Sequence, residues 1–399
     1  MKSFVLLTKD VMMPGYLSVY GNTYWSMPNV EELASKGTVF YRHYTSAPST
    51  AMAFTSMFSA KYPYELDRRT YVHVDDMKGA ETFFDKLEKS GYSNHIIWSK
   101  NYLKVALPFS NCFGSDKTVF HNLDLNQPVG PHIGGNKAKL VRNDELVKTT
   151  MNSIYSAIDE ATRGDTPTFL WIHLPHVILG RIGYGDDMDL VDELVGYLRN
   201  KFDDDSIFIS ADHGNMNGSK NKCGYGFDVY EPAVRIPLIT PRINGVERVD
   251  RPTTNRDIGK ILLDRIIPEE DFVVCDSTYF AQPRRKFAVI SERFKYIYNK
   301  QVKTEELYDL ILDPHEEVNL VSESFFDPDR RVSYERSEVY FYPYWEESKE
   351  ALIKFRAFKD SIWRVGTFKE EYLYGLRQKL AKPITILKTL KKMRKNKRK

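Results

Sequence analysis

Three short apolar runs in this chain end on residues able to bind a cation. Phe4–Leu7 leads to Asp10, Thr168–Leu174 leads to Pro175-His176, and Ser206–Ser210 leads to Ala211-Asp212-His213. Runs that stay apolar, instead of alternating, suit strands covered on both faces. Thr38–Tyr44 and Asn94–Trp98, the latter entering Ser99-Lys100, read as further strands. Helical patterns lie between them. In the stretch ending at Gly37, Asn29 and Glu32 have the capping-box spacing, and Val30, Leu33 and Ala34 share a face. Residues 80–90 carry Phe83, Phe84 and Leu87 before Gly91. A helix is predicted around Leu146–Ile158, and another over Asp189–Asn200 with Leu190, Leu194, Val195 and Leu198 inward. This rhythm predicts a mostly parallel central sheet sandwiched by helices. Such sheets hold ligands at the C-terminal ends of their strands.

Residues 110–140, rich in Gly, Asn and Pro, read as a long loop. From about residue 280 the pattern changes to Lys286–Ser291 and Phe294–Asn299, which predict a small antiparallel sheet. The end, roughly 346–393, reads as helical. The expected division is an α/β domain at 1–275, a small α+β subdomain at 276–345 and a helical, basic tail at 346–399.

One segment supplies a hydroxyl to go with the strand-end ligands. In Thr45-Ser-Ala-Pro-Ser-Thr50, Pro48 ends regular structure and Ser49 or Thr50 can cap a helix whose Ala51, Phe54, Met57 and Phe58 form an apolar face. A hydroxyl there stands at the positive end of a helix, where an anion is favoured. The plain alternative is that Thr50 only caps. Two carboxylates, Asp10 and Asp212, with His213 and the Thr50 hydroxyl suit a divalent ion such as Mn, Mg, Zn or Ca. Coordination would lower the pKa of the hydroxyl and make Thr50 a nucleophile.

The charge is unevenly spread. Residues 377–399 hold eleven Lys or Arg and no Asp or Glu, so the remainder carries eight more acidic than basic side chains. A basic tail of this kind, with Ile384, Ile386, Leu387 and Leu390, fits an anionic membrane surface; a disordered solubilising tail is the alternative. Nucleic-acid binding lacks a base-stacking motif. The apolar run at the N-terminus is too short for a signal peptide, and Cys112, Cys223 and Cys275 lack metal-type spacing. These features lead to the expectation of a cytoplasmic protein with reduced thiols, peripheral at the inner face of the membrane where the tail attaches.

Taken in order, several stretches resemble the sulfatase and alkaline-phosphatase superfamily over roughly residues 4–320. They are the strand ending at Asp10, Tyr20-Gly21, Met27–Gly37, Ala47-Pro-Ser-Thr50, Lys61-Tyr-Pro63, Pro175-His176, Val191–Gly196, Ser210–Gly214, Val234–Leu238 and Glu306–Leu320. The resemblance implies an alkaline-phosphatase-like fold, a catalytic domain at 1–275 and a metal-dependent enzyme of phosphoric or sulfuric esters. It makes His176 an acid or oxyanion donor and Lys100 a further catalytic candidate. Lys222 becomes a candidate anion contact. From the chain itself, Tyr225 reads as a pocket aromatic, with plain packing as the alternative, and His173 as a core residue. Several positions depart from the sulfatases. Where they place a cysteine matured to formylglycine this chain has Thr50, and Ala53 and Phe54 replace their Ser-Arg. Their Asp-Asp pair is Lys9-Asp10, and Asn215–Gly226 lacks the extra histidine of two-zinc phosphatases.

Threonine at this position is the nucleophile of phosphoglycerol and phosphoethanolamine transferases. The resemblance therefore implies one ion, held by Asp10, Thr50, Asp212 and His213, in a phosphotransferase or phosphodiesterase with a covalent phosphothreonine; Mn is expected first, with Mg, Zn and Ca as alternatives. It would act on a phosphodiester or phospholipid-type donor and a glycan or lipid-linked acceptor, with the oligomeric state open. A sulfatase, and a non-catalytic membrane-associated scaffold, are the alternatives.

Overall fold

The computed structural model describes residues 1–65, 81–100, 117–126, 142–181, 183, 185–277, 286–300, 302–321 and 342–362. Cys112, most of 110–140 and the basic tail after residue 362 lie outside them. In chain order the elements are β1 (Phe4–Lys9), α1 (Pro28–Lys36), β2 (Gly37–Tyr44), α2 (Thr50–Ser59), α3 (Phe83–Lys89), β3 (Ser93–Ser99), β4 (Val119–Leu123), α4 (Asp144–Ala161), β5 (Thr168–Leu174), α5 (Met188–Arg199), β6 (Ile207–Ala211), α6 (Glu231–Val234) and β7 (Arg235–Pro241). The short strands β8 (Arg248–Val249) and β9 (Thr253–Thr254) follow. A second group comprises β10 (Val273–Asp276), β11 (Lys286–Ile290), β12 (Phe294–Asn299), β13 (Thr304–Asp309) and α7 (Trp345–Ile362).

The main sheet runs β4-β3-β5-β1-β6-β7-β2-β8, with β9 paired to β2. All its pairings are parallel except those of β7, which is antiparallel to both β6 and β2. The mostly parallel sheet expected from the apolar runs is thus present, and so is the small antiparallel one, in the order β10-β11-β12-β13. Residues of β1 alternate between two cores. Val5 and Leu7 join α1, α4 and α5, whereas Phe4 and Leu6 join α2 and α3.

Three local readings change. The stretch 110–140 contains the edge strand β4, whose mixed sequence and exposed face hide it from a search for apolar runs. The Asn29/Glu32 capping box does not form: α1 begins at Pro28, and its N-terminus is capped by Asp192 of α5. Asp192 accepts from Val30 N–H at 2.9 Å and Asn29 Nδ2 at 3.0 Å. Gly37 ends α1 with ordinary extended φ; glycine is required because a Cβ would collide with the Thr240 carbonyl. Finally, α2 is buried on every side, its inner face packed by Phe54 and Phe58 against Trp171 at 4.6 and 4.9 Å.

A buried charge cluster fastens the small sheet to the main one. Lys295 on β12 is fully buried and pairs with Glu231 at 2.9 Å and Glu316 at 2.8 Å. Burial alone would lower the ammonium pKa, but the two carboxylates hold it above its ordinary value. Replacing Lys295 by Met strands both carboxylates and is expected to cost about 3 to 5 kcal/mol in urea unfolding. Adding Glu231→Gln and Glu316→Gln should recover most of that loss; an unchanged midpoint in the single variant would contradict this account.

Candidate active site

The C-terminal edge of the parallel strands gathers the expected ligands. Asp10 follows β1, and Asp212 and His213 follow β6. All three are buried, with ligand atoms within 4.8 Å of one another. The His213 tautomer is set by its backbone: Nδ1 lies 2.9 Å from the Gly214 carbonyl, to which it can only donate. Nε2 is left with its lone pair toward Asp212 Oδ2 at 3.3 Å, Asp10 Oδ1 at 3.5 Å and Thr50 Oγ1 at 3.1 Å.

Backbone constraints hold this geometry. Asp212 Oδ1 accepts the His213 N–H at 2.8 Å and the Val11 N–H at 3.3 Å. To present that N–H, Val11 takes a φ of 63°, which costs a β-branched residue about 1 to 3 kcal/mol. Gly214 donates to the Ala233 carbonyl at 3.0 Å, and a Cβ there would collide with the Pro232 carbonyl. The glycine of Asp-His-Gly is therefore a close-approach residue.

Thr50 is the first residue of α2. Ser49 occupies the cap position but makes no capping hydrogen bond, and the Thr50 hydroxyl turns to His213. The reading of Thr50 as a plain cap is thereby displaced. Asn255, missed in the sequence, clamps the entry to α2: its Oδ1 accepts from Ser46 N–H (2.9 Å) and Oγ (2.7 Å), and its Nδ2 donates to Thr45 Oγ1 (3.2 Å) and the Ala53 carbonyl (3.4 Å). Nothing in its local sequence marks it.

The remaining candidates divide. His176 brings Nδ1 to 3.6 Å from Asp10 Oδ2. The Tyr225 ring lies 4.5 Å from that of His213. Lys222 pairs with Asp228 at 2.7 Å and lies over Tyr230, whereas Lys100 pairs with Asp124 beyond the end of β4. Neither lysine contacts the ligand cluster. His173 is a core residue: it is fully buried, bonded to Thr8 at 3.0 Å, and burial pushes its pKa down to about 3.

The residues fit a divalent ion. Burial and the neighbouring Asp10 charge push the Asp212 carboxyl up. For Asp10, burial is outweighed by the His176 and His213 rings that face it, so its carboxyl is held well down. Two carboxylates in one dry site cannot both ionise cheaply without a cation. Asp212 Oδ2 is moreover buried without a hydrogen bond, and an O,O,N donor set suits such an ion.

A model of the sulfatase family matches residues 2–177. Among curated proteins none matches the chain in sequence. Of the solved structures, a protein described as a sulfatase from Bacteroides thetaiotaomicron superposes with TM-score 0.66 at 15% identity, over 90% of this chain and 91% of that one. A 2-O GAG sulfatase gives 0.64 at 15%, over 90% and 91%. The phosphonate monoester hydrolase of Agrobacterium radiobacter gives 0.62 at 14%, over 91% and 96%. The fold is that of the sulfatase and alkaline-phosphatase superfamily.

Wild-type protein is expected to bind one equivalent of Mn or Zn, measured by elemental analysis and calorimetry, and Asp212→Asn or His213→Ala to bind none. Because the ion replaces a proton held on Asp212, binding should release protons and weaken as pH falls. Full stoichiometry in both variants would place the ion elsewhere.

Proposed function

We propose that this chain is a metal-dependent enzyme of phosphoric or sulfuric esters whose nucleophile is Thr50. The observation that carries the reading is the Thr50 hydroxyl, 3.1 Å from His213 Nε2, at the N-terminus of α2 and beside the Asp10–Asp212–His213 cluster. Bound there, a divalent ion would acidify the hydroxyl and offset charge on the ester oxygens. Asp10, Thr50, Asp212 and His213 would hold it.

With its hydroxyl proton lost to solvent, Thr50 Oγ would attack phosphorus while the bond from phosphorus to the ester oxygen breaks, that oxygen taking a proton from His176. An acceptor hydroxyl or water would then displace the threonine oxygen, giving its proton back to His176 and leaving the threonine oxygen to regain one from solvent. His176 meets Asp10 through Nδ1, so Nε2 is the nitrogen that addresses the ester. The free N–H groups of the first turn of α2 favour the anionic centre. Tyr225, its ring beside that of His213, lines the pocket, and Lys222 and Lys100 approach it only by rearranging their present ion pairs. A phosphoglycerol- or phosphoethanolamine-type group passing to a glycan or lipid-linked acceptor suits a threonine nucleophile. Residues 377–399 supply the charge for an anionic membrane surface, consistent with cytoplasmic, membrane-peripheral work. Among the described residues no helix is long and apolar enough to cross a membrane.

A sulfatase is the second reading, favoured by the sulfatase family match and by the sulfatases among similar folds. The nucleophile separates the two. A threonine ester of phosphate can be resolved by attack at phosphorus, whereas a sulfated hydroxyl lacks the route by which a formylglycine hydrate expels sulfate.

Incubation with Mn and a phosphoglycerol or phosphoethanolamine donor should add the mass of the transferred group to the intact protein. Thr50→Ala should show no adduct while keeping an ion bound through its three other ligands. An adduct that persists in Thr50→Ala, or sulfate release without any adduct, would overturn the phosphothreonine reading.

A further inference from the structure

Beside Asp10, β1 carries a second charged side chain. Lys9 is buried, although lysines rarely lie inside without partners. Its ammonium has three protons and meets three acceptors: the Pro175 carbonyl at 3.0 Å, the His176 carbonyl at 2.9 Å and Asp187 Oδ2 at 3.2 Å. Asp187 is itself fully buried, and the same oxygen accepts the Ile178 N–H at 3.0 Å. These bonds use the whole donor capacity of Lys9, leaving none for a bound anion.

Their effect falls on the turn that carries His176. The sheet holds the chain as far as Leu174, whose carbonyl accepts from Asp10 N–H at 2.9 Å. Just beyond, Lys9 takes the next two carbonyls and ties them to the residue preceding Asp10. A methionine would fill the same space without desolvating an ammonium and a carboxylate, and buried ion pairs seldom add net stability. Stability therefore gives little reason for a lysine here; position does.

We propose that Lys9, locked to Asp187, is a positioning residue that fixes the Pro175–His176 turn so that the His176 imidazole stands against Asp10 and faces the reacting ester. This rests on the reading of the site as an ester-processing centre. It adds the residue that gives the proton donor its place.

The test compares Lys9→Met with Lys9→Met/Asp187→Asn; the second leaves no unpaired buried carboxylate and keeps the question answerable where the first misfolds. The double variant is expected to bind one equivalent of Mn like wild type and to form the Thr50 adduct on the order of a hundred-fold more slowly. In a His176→Ala background the same two substitutions should bring no further loss. Losses that add to that of His176→Ala, or a loss of metal stoichiometry, would mean a merely structural lysine. Nitrogen-15 spectra of the histidine rings decide the matter without turnover: the His176 signal should shift or broaden in the double variant, while that of His213 stays. An unchanged His176 signal overturns the proposal. Absence of any adduct in wild type, with the His176 signal shifted in the variant, would reject the ester reading and leave the Lys9 anchor standing.

Discussion

Two carboxylates converge in a dry site. Asp10 and Asp212 reach the same point from neighbouring parallel strands, and with both buried, the first proton removed makes the second costly to lose. Much of the local structure keeps them there. Val11 is held in a left-handed conformation so that its N–H can meet Asp212, and Gly214 lets the chain pass close under the Pro232 carbonyl. A fold that spends backbone strain to bring like charges together has built a place for a cation. The His213 tautomer, fixed by the Gly214 carbonyl, adds the neutral donor such an ion takes.

The second sheet belongs to the same construction. Asp276 N–H of β10 donates to the Ser46 carbonyl at 3.0 Å, in the stretch that leads to Thr50. Lys295 of β12 grips Glu231, the first residue of α6, and α6 supplies the carbonyls that receive the Gly214 and Asn215 N–H groups. The small sheet therefore bears on both the Thr50 segment and the His213 loop. Glu316, which completes the cluster, takes a φ of 58°, a conformation sustained by its pairing with Lys295.

What the sequence disclosed follows from this physics. Buried parallel strands must be apolar throughout, so β1, β5 and β6 stand out, and the polar residues just past their ends stand out with them. The helices α1, α3, α4 and α5 bury one face each, which leaves a periodic trace. Long-range polar contacts leave none: Asp192 capping α1, Asn255 clamping the entry to α2 and Glu316 reaching Lys295 each depend on a partner remote in the chain. The edge strand β4 was lost because one exposed face removes its apolar run. Lys9 was legible only as a departure from a paired-aspartate pattern; its role required the positions of Pro175, His176 and Asp187.

That departure bears on charge. With a divalent ion, Asp10, Asp212 and a neutral His213 sum to zero, and the Lys9–Asp187 pair adds nothing. On the proposed reading the centre would be neutral before Thr50 ionises, with no excess positive charge to favour a dianion over a substrate of single negative charge. A phosphodiester, a phosphonate monoester and a sulfate monoester each carry one such charge, so electrostatics alone lets this architecture serve phosphorus and sulfur esters alike. Were Thr50 the nucleophile, discrimination would fall instead on how a covalent intermediate is released. With a plain hydroxyl at residue 50 that release would have to occur by attack on the central atom, and phosphorus accepts such attack more readily than a sulfate ester does. On the proposed reading, the threonine at residue 50, more than the metal or the fold, would direct the chemistry toward phosphorus.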